Sequence, residues 1–283
     1  MADVLVRIAS LYESFSLTQK RLADYLLKHG DEVPFLSVHD LARAGRVSVA
    51  SVSRFARAVG CRDVKDFKTR VGRESLSSYN GIYQSIKPGD GDEEVIEKIF
   101  LGNIRSLEDT LKILTRADLI RAARAIGRSK RVVFFGIGTS GNIAQDAALR
   151  FSQLGLQAEA YNDSYRMLNQ ALRTGRNEVA FGISHSGRSV MTVKTLELAS
   201  KNGATTVGMS NYLKSPLHDR SMIFLCTSFP ESRVKVAALS SRVAQMCLID
   251  ALYILVARHK RISLSRTERL NTYAEQLFRL PAE

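Results

Sequence analysis

Tryptophan is absent from the 283 residues, and cysteine and proline are sparse, at 3 and 5. Cys61, Cys226 and Cys247 lie far apart, in odd number and without CxxC or histidine spacing, which argues against a disulfide framework or a zinc site and for inert thiols. With only 18 Gly, and with 45% hydrophobic residues to offset ordering entropy, collagen-like and disordered architectures are excluded. No apolar run approaches the roughly 20 residues of a membrane span. The most apolar stretch, 246–257, carries Asp250 and reads as a buried helix. Asp3, Arg7 and Glu13 interrupt the opening residues, so no secretory leader is read, and a cytoplasmic protein without a membrane partner is expected. Internal repeats and low-complexity tracts are also missing.

Acidic residues are the minority, 28 against 41 Lys+Arg, for a formal charge of +13 that favours a polyanionic or phosphorylated partner. The length suggests two domains. Residues 1–77 carry apolar residues at helical spacing, 78–92 break the pattern with Ser, Asn, Gly and a Pro-Gly pair, and 93–283 pass from helices into apolar strands alternating with amphipathic helices. VVFFG, VAFGIS, ATTVGMS and SMIFLCT are the strands, and their spacing predicts a parallel sheet with helices on both faces.

Between Ser37 and Val59 the punctuation predicts two short helices around a tight turn. Ser37 with Asp40 forms a capping box, Leu36 and Leu41 stand at staple positions, Gly45 ends the first helix, and Ser48 caps the second. Ala42, Val47, Val52 and Phe55 fall at helix-turn-helix offsets, while the turn glycine is displaced by one, with Arg46 at its expected place. From Arg43 to Arg73 nine cations face two acids. The DNA-contact residues expected are Ser48, Ala50, Ser51, Ser53, Arg54 and Arg57, with Arg54 preferred because its forked donors match guanine or a phosphate pair. A small helical bundle with a solvated basic face is the plainer alternative.

In the second domain, RVVFFGIGTSGNIA is a strand, a glycine turn and a helix start, an arrangement that aims N–H groups and hydroxyls at one spot and suits a phosphate. Gly136, Gly138 and Gly141 also satisfy the dinucleotide fingerprint, with Asp163 about twenty residues on. EVAFGISHSGRSVMTV repeats the strand, turn and helix with Ser184, Ser186 and Ser189, which favours one phosphate held between two loops over a dinucleotide. Helix capping is the plainer role for any one of these serines.

GIGTSGNIA and ISHSGRS together resemble the sugar isomerase (SIS) domain, and with the helix-turn-helix the chain resembles the RpiR family of bacterial transcriptional regulators. The resemblance implies an all-helical DNA-binding domain followed by an α/β/α SIS domain with a parallel sheet. It also implies a phosphorylated sugar as effector, held by Gly138, Thr139, Ser140, Ser184, His185, Ser186 and Ser189, with Ser241 and Arg242 reaching the sugar. SIS isomerases carry a glutamate on a late helix as base, whereas Val234–Arg258 has only Asp250, so a binding site without catalysis is expected. No cofactor or metal is expected. His218–Asp219 reads as a solvated turn, since adjacent residues seldom face one another.

The expected protein regulates a sugar-catabolism operon, reading a palindromic double-stranded operator as a homodimer or homotetramer whose affinity the sugar phosphate controls. The apolar helix ending at Val256 and the segment 265–280 are its expected oligomer surfaces. A sugar-phosphate aldose-ketose isomerase with an accessory helical domain is the competing reading, and a nucleotide-binding redox protein a second.

Overall fold

The computed structural model describes residues 4–30, 32–77, 86, 89–228, 239–262 and 272, without the side chains of 73–77 and 239–241. Most of the expected connection 78–92 and of the expected oligomer segment 265–280 therefore lies outside the described residues. Two compact units emerge: one of residues 1–114, 210–219 and 226–244, the other of 115–209, 220–225 and 245–283.

The first unit is helical: α1 Val4–Leu11, α2 Leu17–Lys28, α3 Val38–Ala44, α4 Val49–Ala58, α5 Val64–Ser77 and α6 Asp92–Ile113. α2, α3, α4 and α5 each start at a side chain that takes one of the helix's orphan N–H groups. Ser16 accepts from Gln19 N–H in a reciprocal capping box, Ser37 from Asp40 at 3.1 Å, Ser48 from Ser51 at 3.2 Å, and Asp63 from Asp66 at 2.8 Å. The apolar stripes so aligned converge on one core containing Ile8, Leu22, Leu26, Leu41, Val52, Phe55 and Phe67, with Phe55 tilted against Phe15 at 5.0 Å and edge-on to Phe67 at 6.3 Å. Leu36 and Val47 flank that core, as expected of a staple and a turn anchor.

The turn between α3 and α4 has a conformation that the sequence disguises. Arg46 N–H donates to the Arg43 carbonyl and Val47 N–H to the Ala42 carbonyl, the bond pair of a Schellman motif. Its left-handed residue is Arg46, at φ 51°, while Gly45 stays right-handed at φ −76°. Gly45 is small for another reason: a Cβ there would stand 2.7 Å from Leu22 Cδ1.

α6 buries polar groups. Ser106 Oγ donates to the Ser228 carbonyl at 2.6 Å, and Ser228 N–H donates to Thr110 Oγ1 at 2.9 Å. Asp109 lies beside them, fully buried, with Arg105 at 3.3 Å and Lys112 at 3.4 Å. Ser228 follows the last strand of the sheet. Within the same unit, Thr227 N–H donates to the Ser210 carbonyl, and Leu213 N–H donates to the Ser10 carbonyl on α1.

The second unit is α/β. After α7 Arg116–Arg128 come β1 Arg131–Phe135, α8 Thr139–Gln153, β2 Gln157–Tyr161, α9 Ser164–Arg173, β3 Glu178–Ile183, α10 Val190–Lys201 and β4 Thr205–Ser210. In chain order a single turn, α11 Pro216–Asp219, which counts with the first unit, then β5 Ile223–Cys226 and α12 Leu239–His259 follow, the last two divided between the units at Cys226 and Ala244. The order is β2-β1-β3-β4-β5, and the first four strands pair in parallel. Phe134 and Phe181, in register, face Phe151 of α8, which meets Tyr253 of α12 edge-on. On the opposite face, Gly182 leaves room for Leu196 and Thr192 of α10.

The four strands expected from apolar runs are present, and β2 is an addition. Its sequence QAEAY has no apolar run, and none of its residues is fully buried, unlike most of those of β5 at the other edge.

Relieving the left-handed strain with Arg46→Gly is expected to raise stability by about 0.5–1 kcal/mol, whereas Gly45→Ala lowers it by about 1–3 kcal/mol through overpacking. Urea midpoints of the two variants check the opposite signs.

Candidate functional site

Two surfaces carry the chemistry expected from the sequence. On α4, Val52, Phe55 and Ala56 are buried, leaving Ala50, Arg54 and Arg57 exposed and Ser53 half-buried on the outer side. Ser48 and Ser51 stand at its start with hydroxyls 2.9 Å apart, and Arg54 Nη2 donates to Ser51 Oγ at 3.4 Å. The Ser53 hydroxyl turns back to the Val49 carbonyl at 3.4 Å, which leaves it less outward than its neighbours. Arg43, Arg46 and Arg62 are exposed on the same domain and extend the cationic surface that phosphate tracking requires.

The second surface follows from strand order. β1 connects through α8 to β2 on one side, and β2 returns through α9 to β3 on the other side of β1. Loops leaving adjacent strands in opposite winding directions diverge, and a crevice opens at the carboxyl ends of β1 and β3. Phe135 pairs with Gly182, so the loop 136–138 and the loop 184–189 leave side by side, about 5 Å apart at their roots.

The first loop is held by glycines. A Cβ on Gly136 would lie 2.5 Å from the Ser140 carbonyl oxygen, and one on Gly141 would lie 2.7 Å from Asn162 Cβ. Gly138, at φ 63° and ψ −131°, caps α8 with open space where a side chain would stand. Thr139 is exposed and Ser140 is buried. In the second loop, Gly187 N–H donates to the Ser184 carbonyl at 3.1 Å and Arg188 N–H to Ser186 Oγ at 3.2 Å. His185 is half-buried between the serines.

The serines differ in engagement. Ser189 caps α10, its Oγ accepting from Thr192 Oγ1 at 3.1 Å and, at 3.5 Å, from Thr192 N–H. The hydroxyls of Ser140 and Ser184 make no hydrogen bond among the described residues, although both residues are buried. Arg242 is half-buried on α12, in the helical unit, and the Ser241 side chain lies outside the described set, so the two loops are described without them.

Other expectations resolve by geometry. The Asp163 carboxylate accepts from Arg166 N–H at 2.9 Å as the cap of α9, which gives it a structural role in place of the ribose contact of a dinucleotide site. His218 Nδ1 and Asp219 Oδ1 do approach, at 3.2 Å, contrary to expectation, because the single turn α11 brings them together at an exposed site. Burial pushes the Cys226 thiol far up, in keeping with an inert group, but Cys247 is exposed and is not shielded by packing. Asp250 is exposed rather than buried, with Arg150 Nη1 donating to it at 2.7 Å. Sequence reading missed Asn162: it follows the unread strand β2 and lies against Gly141 at the mouth of the first loop. No metal-binding cluster and no helix long and apolar enough to cross a membrane occur among the described residues.

A cationic helix-turn-helix joined to a parallel α/β unit with two hydroxyl-lined loops defines a class that pairs a DNA-reading module with a small-ligand fold. The model described as helix-turn-helix domain, rpiR family, matches residues 2–78, and that of the SIS domain matches 125–255. An uncharacterized HTH-type transcriptional regulator of Caldanaerobacter subterraneus subsp. tengcongensis is 34% identical over 260 residues, 92% of each chain. Another from Haemophilus influenzae is 28% identical over 97% of each. The chain belongs to the RpiR family of helix-turn-helix transcriptional regulators. In fold it is similar to the Vibrio vulnificus NanR protein complexed with ManNAc-6P, with TM-score 0.62, 24% identity, and 98% of this chain and 100% of that one covered. It is also similar to the sugar isomerase domain of an RpiR transcription factor from Sphaerobacter thermophilus, with TM-score 0.56, 19% identity, and 63% and 98% covered.

Ser189→Ala is expected to cost about 1 kcal/mol as a lost cap, and Gly136→Ala about 1–3 kcal/mol by backbone collision. Ser140→Ala, which removes no bond, stays within about 0.5 kcal/mol of the parent. Urea denaturation followed by far-UV circular dichroism measures all three.

The Ser37 hydroxyl, donating at 2.5 Å, holds the Asp40 carboxyl below its usual range. A depressed folded-state pKa gives stability that is present above the unfolded value, near 3.8, and lost as pH falls through the folded one. Ser37→Ala is expected to shrink the acid-side loss of stability, as read from melting temperatures at pH 2–5.

Proposed function

We propose that this regulator binds a phosphorylated sugar between the loops 136–140 and 184–189, and that the sugar phosphate sets its affinity for a palindromic operator of a sugar-catabolism operon. The observation that carries the reading is the pair of hydroxyls without a hydrogen bond among the described residues, on the buried residues Ser140 and Ser184 that follow adjacent parallel strands. Hydroxyls and helix N-terminal N–H groups together suit a dianionic phosphate. Gly138, Thr139, His185, Ser186 and Ser189 complete the loops. That the similarly folded NanR protein was solved with ManNAc-6P supports the ligand class.

DNA is read by Ser48, Ala50, Ser51, Ser53, Arg54 and Arg57 of a homodimer or homotetramer, each helix-turn-helix taking one half-site. The DNA-binding domain spans 1–77, the connection 78–92 and the effector domain 93–283, in a cytoplasmic protein. Catalysis is not part of this reading: α12 carries no glutamate, and its carboxylate, Asp250, is exposed and engaged by Arg150. Effector and operator change each other's affinity by the same factor.

A panel of pentose, hexose and amino-sugar phosphates tests the ligand by thermal shift. A binder at 100 times its Kd stabilises by about 2.7 kcal/mol. Ser140→Ala and Ser184→Ala are expected to abolish that shift while leaving duplex binding in place. Arg54→Ala is expected to weaken binding to promoter DNA at least tenfold with the sugar shift intact. Turnover of any sugar phosphate at ordinary enzymatic rates would overturn the regulator reading in favour of an isomerase.

A further inference from the structure

The outer side of α6 is apolar where a lone helix would be polar. Ile96, Phe100, Ile104, Leu107 and Leu111 recur at spacings of four, four, three and four, a single stripe along four turns. Ile96 is 58% exposed, Phe100 67%, Ile104 51% and Leu111 58%, while the opposite side buries Ser106, Asp109 and Thr110. The helix is thus inverted: its polar groups are bonded inside its own unit and its apolar stripe is left uncovered.

We infer that this stripe is the contact between two copies of the chain, paired through α6 in antiparallel fashion about a two-fold axis near Ile104. This rests on the homo-oligomer reading above and names its surface. Two arguments favour a second copy. The exposed apolar side chains present roughly 500 Å² per chain, at the size of patch that marks a functional surface, and a two-fold pairing covers about 1,000 Å², the lower bound of a specific interface. Charge then fixes the direction. The first half of the helix carries Asp92, Glu93, Glu94 and Glu97 against Lys98 alone, whereas in the second half Arg105 and Lys112 balance Glu108 and Asp109. Antiparallel pairing sets the acidic half of one helix beside the neutral half of the other and Ile96 opposite Leu111. Parallel pairing would stack the acidic halves on one another.

Light scattering on the full chain, wild type and Phe100→Glu, reads the mass. The parent is expected to be an oligomer, and the variant to show half its mass with unchanged circular dichroism. In a Cys247→Ser background, a short bis-maleimide is expected to join copies of the double variant Ile96→Cys/Leu111→Cys but neither single variant to itself. An oligomer of unchanged mass in Phe100→Glu, or a single variant that cross-links to itself, overturns this interface while sparing the oligomer reading. A wild-type monomer at all concentrations overturns both. A monomer whose melting temperature falls in Phe100→Glu places the stripe against another part of the same chain.

Discussion

A parallel strand is reached only by a crossover, and the side to which successive crossovers turn decides where a sheet opens. In this chain the turn reverses between β1 and β3. Every feature of the small-ligand unit hangs on that reversal. It places Gly136 and Ser184 at adjacent strand ends, starts α8 and α10 at the same rim, and lets two serine loops, forty-odd residues apart in sequence, border one crevice. The glycines serve the same constraint from within, since α8 begins so close to β1 that a Cβ at position 136 would collide with the helix backbone.

The charge of +13 divides along these lines. Cations on the helix-turn-helix stand exposed around α4 and its turn, where a surface ion pair such as Arg43–Asp40 at 3.4 Å costs little to exchange for a phosphate. In the sheet unit, much of the positive charge is spent internally. Arg131 binds Glu178 at 2.9 Å and Glu159 at 3.4 Å across three strands, and Arg150 ties α8 to α12 through Asp250. Net charge over that unit therefore says little about its ligand. The loops rely on hydroxyls and N–H groups instead.

Much of the architecture was legible because it rests on local chemistry. Ser37 and Ser48 cap the helices where the pattern S-x-x-D and the polar-to-apolar change placed them, and four strands announced themselves as apolar runs buried on both faces. What stayed hidden depended on neighbours. β2 lacked a run because it buries no residue fully, and Asn162 went unread with it. The helix-turn-helix appeared to misplace its glycine, but the left-handed residue sits where the motif requires it and happens to be Arg46. Sequence marked the serines of the two loops as a group; only geometry separates Ser189, bound into a cap, from Ser140 and Ser184, which are not.

The buried polar contacts of α6 have a mechanical meaning. Ser106 and Thr110 fasten one end of a helix to Ser228, at the exit of β5, and their bonds are too directional to slide. From Ser106 back to Asp92 the helix extends about 21 Å beyond its fastening. A rod pinned near one end is a lever, and a tilt of about 6° at the pin carries the free end about 2 Å. Within its own unit, a shift of the Ser228 segment would thus be enlarged at the amino end of α6.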